Sequence, residues 1–430
     1  KKYFGDRERA MTSAIRNTFI SVLSSSLTTV GGFLALAFMK YGIGKDIGLV
    51  LAKGVLLSLI SVVTLLPVLV LISDKWIEKY QHRIFLPSFR RTSKIIVKYG
   101  HLFLVLAILI SLPSFLGQSQ VNYYYSNEKV LPKTFKSNMG NTEIDRLFEN
   151  KNQLAAIIPK GDKVKELGLI GKLKAIEGVI DVKGLYSMVD IEIPEEFIPK
   201  DVLENFQGEN YSMINVNLNL PMEGDATKKT LDEIRNTLGR DYDNWYLTGE
   251  SVIYADLAEV TSKDYKNITI ISIIVIGGIL VLAFKSLVIP IILVALIQLG
   301  IWINLAIPYI QGIDLNFISF IIIGAIQLGA TVDYAILYTS RYQENIKVLD
   351  KKEAAIKTII DTGRPILTSA LILFTATLSV YMVTSMRNTA ELTLLIGRGA
   401  IISLILVLIV LPSLLMIFHK YVQKTIASKE

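Results

Sequence analysis

GATVDYAILYTSRYQE, residues 329–344, places a carboxylate, Asp333, inside a run otherwise suited to lipid. Between Leu315 and Ser340 it is the only charged side chain. An acid near the centre of a membrane helix costs about 2.5–3.5 kcal/mol on insertion scales, so such a residue faces the bundle interior and marks a functional position. Asp333 shares a stripe with Ala325 and Gly329, spaced by four and therefore on one helix face. Small residues on that face admit a neighbouring helix. Tyr334 lies about 100° further round, placed to hydrogen-bond a carboxylate on another helix or simply to pack.

The rest of the chain is consistent with a membrane setting. Of 430 residues 51% are hydrophobic, and cysteine is absent, which excludes a disulfide framework. Apolar runs of spanning length occur near 17–39, 46–72, 101–117, 267–284, 287–310, 315–340, 365–385 and 392–418. The fold class expected is an α-helical polytopic membrane protein of about eight transmembrane helices with one α+β domain. The net charge of +7 hides a division: residues 118–266 carry 18 Lys+Arg against 25 Asp+Glu, the remainder 27 against 13. The basic segments Lys1–Arg16, Lys75–Lys98, Arg341–Arg364 and Lys420–Lys429 fall on one side of the topology, which the positive-inside rule makes cytoplasmic. Residues 118–266 are then extracytoplasmic, in a cell (plasma or inner) membrane. Segment 73–98 mixes its cations with Trp76, Tyr80, Phe85 and Phe89, as expected of a helix lying along the inner interface.

Within 118–266, NQLAAIIPK, DVKGLYSMV, YSMINVNLNL and NWYLTGESV read as strands. DKVKELGLIGKLKAIEG and DATKKTLDEIRNTLG read as amphipathic helices. The order strand, helix, strand, twice over, predicts a split βαβ (ferredoxin-like) domain, with the acidic DIEIPEEFIPKDVLENFQGEN inserted between its halves.

The chain also contains a repeat. KGVLLSLISVVTLLPVL from Lys53 aligns without gaps to RGAIISLILVLIVLPSL from Arg398, and AIRNTFISVLSSSLTTVGGF aligns to AIKTIIDTGRPILTSALILF. Both copies begin on the same side, so the repeat is parallel. The expected organisation is 1–72 as the last two helices of a first repeat, 73–100 as an interfacial linker, and 101–117 as the first helix of a second repeat. The porter-like domain is 118–266, the five-helix remainder of the second repeat 267–419, and the cytoplasmic tail 420–430. Because the first copy has no counterparts here for 101–117 and 267–340, the chain reads as a fragment, and its leading helix pair is expected to be displaced for want of partners.

Lys53 and Arg398 occupy equivalent repeat positions, each followed by glycine. A buried cation there would act on a nearby carboxylate; one near the outer interface would extend its head to water. Ser25 and Thr28, among the hydroxyls Ser24–Thr29 of the first copy, and Thr368 and Ser369 of the second either pass protons beside Asp333 or bond to their own helix backbone. No nucleotide loop, metal cluster or activated nucleophile is visible, and His82, His101 and His419 are dispersed. An enzyme, a metal and an organic cofactor are not expected.

GATVDYAILYTSRYQE, SSLTTVGGFLALAF with KYGIGKDIGLVLAKG, and YLTGESVIYADLAEVTSKD together resemble the resistance-nodulation-division superfamily, specifically its MmpL-like exporters. The resemblance implies export of hydrophobic or lipid-like compounds driven by proton entry. Asp333 and Tyr334 would be the proton-relay pair, and Lys53, Arg398, Thr368, Ser369, Ser25 and Thr28 supporting polar residues. The proton is the coupling ion. The partners implied are the substrate and membrane lipids, a homo-oligomer is compatible, and nucleic acid is not expected. The competing reading is a non-transporting receptor or envelope-assembly scaffold of the same fold.

Overall fold

A computed structural model describes residues 7–80, 86–126, 129–132, 134–148 and 152–421. Helix α1 (Arg7–Ala35) ends in a 3-10 turn and is followed by α2 (Gly42–Lys79), the short α3 (Arg90–Lys98) and α4 (Gly100–Ser119). After β1 (Tyr123–Tyr124) come α5 (Lys136–Phe148), β2 (Asn152–Pro159), α6 (Lys163–Lys174), β3 (Val179–Lys183) and α7 (Leu185–Met188). The chain continues through α8 (Lys200–Phe206), β4 (Tyr211–Leu218), α9 (Asp225–Asp241) and β5 (Tyr246–Gly249). The remaining elements are α10 (Glu250–Phe284), α11 (Val288–Gln311), β6 (Leu315–Asn316), α12 (Phe317–Asn345), α13 (Lys351–Val383), α14 (Arg387–Ile405) and α15 (Leu411–Ile417). Two units result, Lys1–Tyr123 with Lys263–Glu430, and Tyr124–Ser262.

Among the described residues eight helices are long and apolar enough to cross a membrane, as the eight apolar runs predict. Several extend past the apolar run that announces them. α13 starts at Lys351 rather than near 365, capped by Asp350, whose Oδ1 accepts the Glu353 N–H at 2.8 Å. Its first turns bury Ala354, Ala355, Thr358, Ile359 and Thr362, a helical spacing that hydropathy alone does not register. α12 is the most enclosed of the eight and α2 the least. Between α14 and α15 a five-residue π segment, Leu406–Val410, precedes Pro412, which lacks the N–H a regular helix requires.

The single interfacial helix expected over 73–98 is not formed. α2 runs unbroken to Lys79, and a separate helix, α3, begins only at Arg90. Phe89, at φ 54°, sets the bend, and a Cβ on Gly363 of α13 would meet the Phe89 ring at 2.9 Å. α3 buries Ser93 and Ile96 while its cations stay exposed. Phe85 and His82 fall outside the described residues, as does most of 420–430.

The expected displacement of the leading pair is half wrong. α1 packs against α12, and at its far end the Lys40 and Tyr41 N–H groups donate to Asp264 Oδ2 of α10 at 2.9 and 3.2 Å. α2 packs on α1 but leaves most of its surface uncovered.

In the second unit the sheet order is β3-β4-β2-β5, with β4 antiparallel to β2 and β3, and β5 antiparallel to β2. That is the ferredoxin-like topology the strand and helix order predicts. Alternate residues Leu154, Ala156 and Ile158 of β2, with Ile214, Val216 and Leu218 of β4, pack under α6 and α9. Two expected strands are shorter. DVKGLYSMV stops at Lys183, because Ser187 Oγ accepts the Gly184 N–H and donates to the Gly184 carbonyl, closing one helical turn. NWYLTGESV stops at Gly249, whose φ of 144° and close approach to Gln153 O (2.8 Å from a built Cβ) suit glycine, and Glu250 opens α10. The acidic insert packs on α7, where Leu185 and Tyr186 form a small core with Ile198 of the insert.

Candidate functional site

The stripe that carries Asp333 meets α1. A Cβ on Gly32 would lie 3.4 Å from Ala325 O and from Gly329 Cα, and one on Gly329 would lie 3.3 Å from Thr29 Cα and O. The backbones touch because neither side contributes a side chain. Thr29 Oγ1 uses this proximity to donate to Gly329 O at 2.8 Å. One turn further along, the Ser25 hydroxyl is the hydrogen-bonding neighbour of the Asp333 carboxyl. Asp333 Oδ1 is shut off from the surface and has no partner among the described residues.

Tyr334 is buried and turns to α13, where the Ser369 hydroxyl is its hydrogen-bonding neighbour. Asp333 and Tyr334 thus reach the two helices that the repeat relates, α1 and α13, each through a serine. Thr28 and Thr368 behave differently. Thr28 Oγ1 donates to Ser25 O at 2.7 Å and Thr368 Oγ1 to Arg364 O at 2.9 Å, the backbone bonding common to helix hydroxyls.

Lys53 and Arg398, equivalent in sequence, are not equivalent in setting. Arg398 is tied to α11, its Nε donating to Asn304 Oδ1 at 2.7 Å and an Nη to Asn304 O at 2.8 Å. Asn304, fully buried, donates through Nδ2 to Gln327 Oε1 of α12 and to Leu395 O of α14, both at 2.8 Å. The arginine therefore neither snorkels nor pairs with a carboxylate. Lys53 is exposed and makes no hydrogen bond among the described residues. Packing accounts for the divergence: a Cβ on Gly399 would meet Gln327 Oε1 at 2.8 Å, whereas one on Gly54 would meet nothing within 4 Å.

Asn304 and Gln327 escape a reading of the sequence that looks for charge. Their signal is that each is an amide in an apolar run, where an unpaired polar group is expensive. Gln327 Nε2 and Ser403 Oγ are buried there without hydrogen-bond partners among the described residues. Gln327 precedes Asp333 by six residues, or about 9 Å along α12.

A second titratable cluster lies in the βαβ unit. Tyr186 donates to Glu195 Oε1 at 2.9 Å, and Lys160 and Lys163 approach the same carboxylate at 3.4 and 3.9 Å. The tyrosine bond, with the lysines, holds Glu195 below the usual carboxylate range. Glu166, 3% exposed, is pushed up by burial against the opposing effect of Ser212. These contacts fasten the insert to its sheet.

An eight-helix bundle with an intramembrane carboxylate, a parallel helix-pair repeat and a ferredoxin-like unit defines a multi-pass membrane protein. The profile of the MMPL family matches residues 4–99 and 163–427, and the chain belongs to that family. It is 23% identical over 440 residues to "Putative membrane protein ActII-3" of Streptomyces coelicolor, covering 95% of this chain and 57% of that one. It is 24% identical over 264 residues to "Putative membrane protein YdgH" of Bacillus subtilis, covering 59% and 29%. It is 27% identical over 168 residues to "Probable transport protein MmpL12" of Mycobacterium tuberculosis, covering 36% and 14%. The chain spans little more than half the length of the longest-matched of these relatives.

Proposed function

We propose that the protein acts in secondary active export of hydrophobic or lipid-like compounds, with proton entry as the driving force and Asp333 as the proton carrier. The observation that carries this reading is the state of Asp333. It sits mid-helix in α12, faces α1 through Ser25, and has no ion pair among the described residues, since Arg398 is committed to Asn304. A carboxylate locked to a cation would favour the receptor or scaffold reading; one held only by a neutral hydroxyl is free to bind and release a proton. Tyr334 with Ser369 extends the polar path towards α13. The relative MmpL12 bears a transport name, which agrees with this reading.

Magnitude limits the mechanism. A proton crossing 100 mV yields about 2.3 kcal/mol. Wetting a sixteen-carbon chain costs about 13 kcal/mol at roughly 0.8 kcal/mol per CH₂. Proton binding therefore biases a rocking of helices while the cargo stays in apolar surroundings, with 118–266 as part of its path. The test is Asp333→Asn in the full-length protein, followed by efflux of a fluorescent lipophile under an imposed proton gradient. Normal membrane insertion with loss of efflux is expected; wild-type efflux from the inserted variant would remove Asp333 from the mechanism.

A further inference from the structure

One cavity of the helical unit shares no lining residue with the Asp333 site. It is a groove of about 640 Å³ between α4, α10 and α11, walled by Leu104, Ile108, Gly277, Val281, Ile291 and Trp302 among others. Every element that lines it is a membrane-spanning helix, so its mouth opens on hydrocarbon. Its polar lining is limited to Ser111, whose hydroxyl is used on Ile108 O at 2.7 Å, and Gln298. Among the described residues no charged side chain lines it. Along α11 it extends from Leu287 to Trp302, about 22 Å of helix at 1.5 Å per residue, against about 15 Å for one leaflet of a bilayer's hydrocarbon core.

One end of the groove is marked by charge. Leu287 lies just after the α10–α11 turn, and two residues before it Lys285 is exposed at φ 51° with no ion pair among the described residues. The sequence from Lys266 to Ile313 contains no acidic residue, and neither does that from Arg90 to Ser126, which includes α4. The groove thus joins an apolar trough long enough to take an acyl chain to an unneutralised cation at the membrane surface, the complement of a phospholipid.

We propose that this groove is a binding site for an anionic phospholipid of the leaflet on the side of the α10–α11 turn, with one acyl chain along α11 and the headgroup phosphate at Lys285. The site stands whether or not the protein exports lipid-like cargo. Gly277 supplies the tool for testing it, because it lines the groove and a Cβ there meets nothing within 4 Å, so a side chain added at this position starts in open space. Ile291, 68% exposed on another wall, offers a second such position.

The full-length protein is reconstituted in phosphatidylcholine vesicles doped with a phosphatidylglycerol that carries a diazirine midway along one chain, and labelled peptides are mapped after illumination. Adducts should concentrate on 104–111, 273–281 and 287–302, and Gly277→Trp and Ile291→Trp should each reduce them by about tenfold while labelling of α2 is unchanged. Lys285→Gln should reduce labelling by the phosphatidylglycerol and leave labelling by a phosphatidylcholine diazirine unaltered. Adducts spread evenly over the exposed helices, or undiminished in both tryptophan variants, would overturn the site. Labelling by a diazirine fatty acid but not by the phospholipid would likewise overturn it, and equal labelling by phosphatidylglycerol with and without Lys285 would overturn the headgroup assignment.

Discussion

Filling the seam between α1 and α12 should pry the two helices apart by a predictable amount. Gly329→Leu introduces four carbons where even a Cβ would stand 3.3 Å from the Thr29 backbone, and backbone cannot turn aside as a side chain can. Overpacking of this kind costs about 1–3 kcal/mol. The Thr29 Oγ1 bond to Gly329 O is lost with it, a contribution of about 0.6 kcal/mol for an average interhelical bond in a membrane. A central figure of about 2 kcal/mol shifts the open fraction of the seam by about 30-fold. The chain has no cysteine, so a single introduced thiol reports alone. Thr28→Cys, at a position that is 0% exposed, should react slowly with a small maleimide in the otherwise native protein and about 30-fold faster beside Gly329→Leu. A rate changed by less than about twofold, or a Thr28→Cys thiol as reactive as one at Thr142, exposed in the βαβ unit, would refute the close-packed seam.

Other consequences are as direct. Asn304→Ala leaves the Arg398 guanidinium and Gln327 without their shared partner, so thermal stability in detergent should fall, by about 3–5 kcal/mol if the charge stays buried, and Arg398→Leu in the same background should restore part of it. Ser369→Ala should slow proton-driven efflux if Tyr334 belongs to the relay, and leave folding unchanged by circular dichroism. Residues 124–262 expressed alone should give a mixed α/β spectrum and cooperative unfolding, because their core is built from their own sheet and helices; a random-coil spectrum would contradict this. In that unit Glu166 has a folded value above its ordinary 4.5, so the folded state binds the proton more tightly; its stabilising contribution is full below pH 4.5 and is lost as pH rises through the raised value. Glu166→Gln should flatten the stability profile above pH 4.5, and an unchanged slope would count against the buried carboxyl.

The helical architecture is legible in the sequence because burial in lipid demands long apolar runs, and the βαβ unit because its strands alternate and its helices do not. Asp333 stands out for the same reason: charge in such a run is rare. What stays hidden is whom each residue meets. Thr29 and Gly329 are 300 residues apart, and no local pattern pairs them. Lys53 and Arg398 share their flanking sequence, yet one is exposed and the other anchors Asn304, because the difference lies in neighbouring helices. Asn304 and Gln327 are neutral, and a neutral amide declares itself only once its partner is in view. Leu185–Met188 has the residues of a strand yet closes a helical turn, because Ser187 folding back on Gly184 outweighs the local β-forming preference.

The amide cluster has a mechanical meaning. Arg398, Asn304 and Gln327 join α14, α11 and α12 by four hydrogen bonds, counting that from Asn304 to Leu395 O, so drawing those helices apart means exposing a guanidinium and two amides to hydrocarbon. Against α1, by contrast, α12 presents glycine and alanine, with the Thr29 bond to Gly329 O and the Ser25 hydroxyl beside Asp333 as its polar contacts. Sliding is cheap along that line and splitting is costly along the other. In the rocking proposed above, the three bonded helices would travel as one block, and the bearing for that block would be the surface where Asp333 sits.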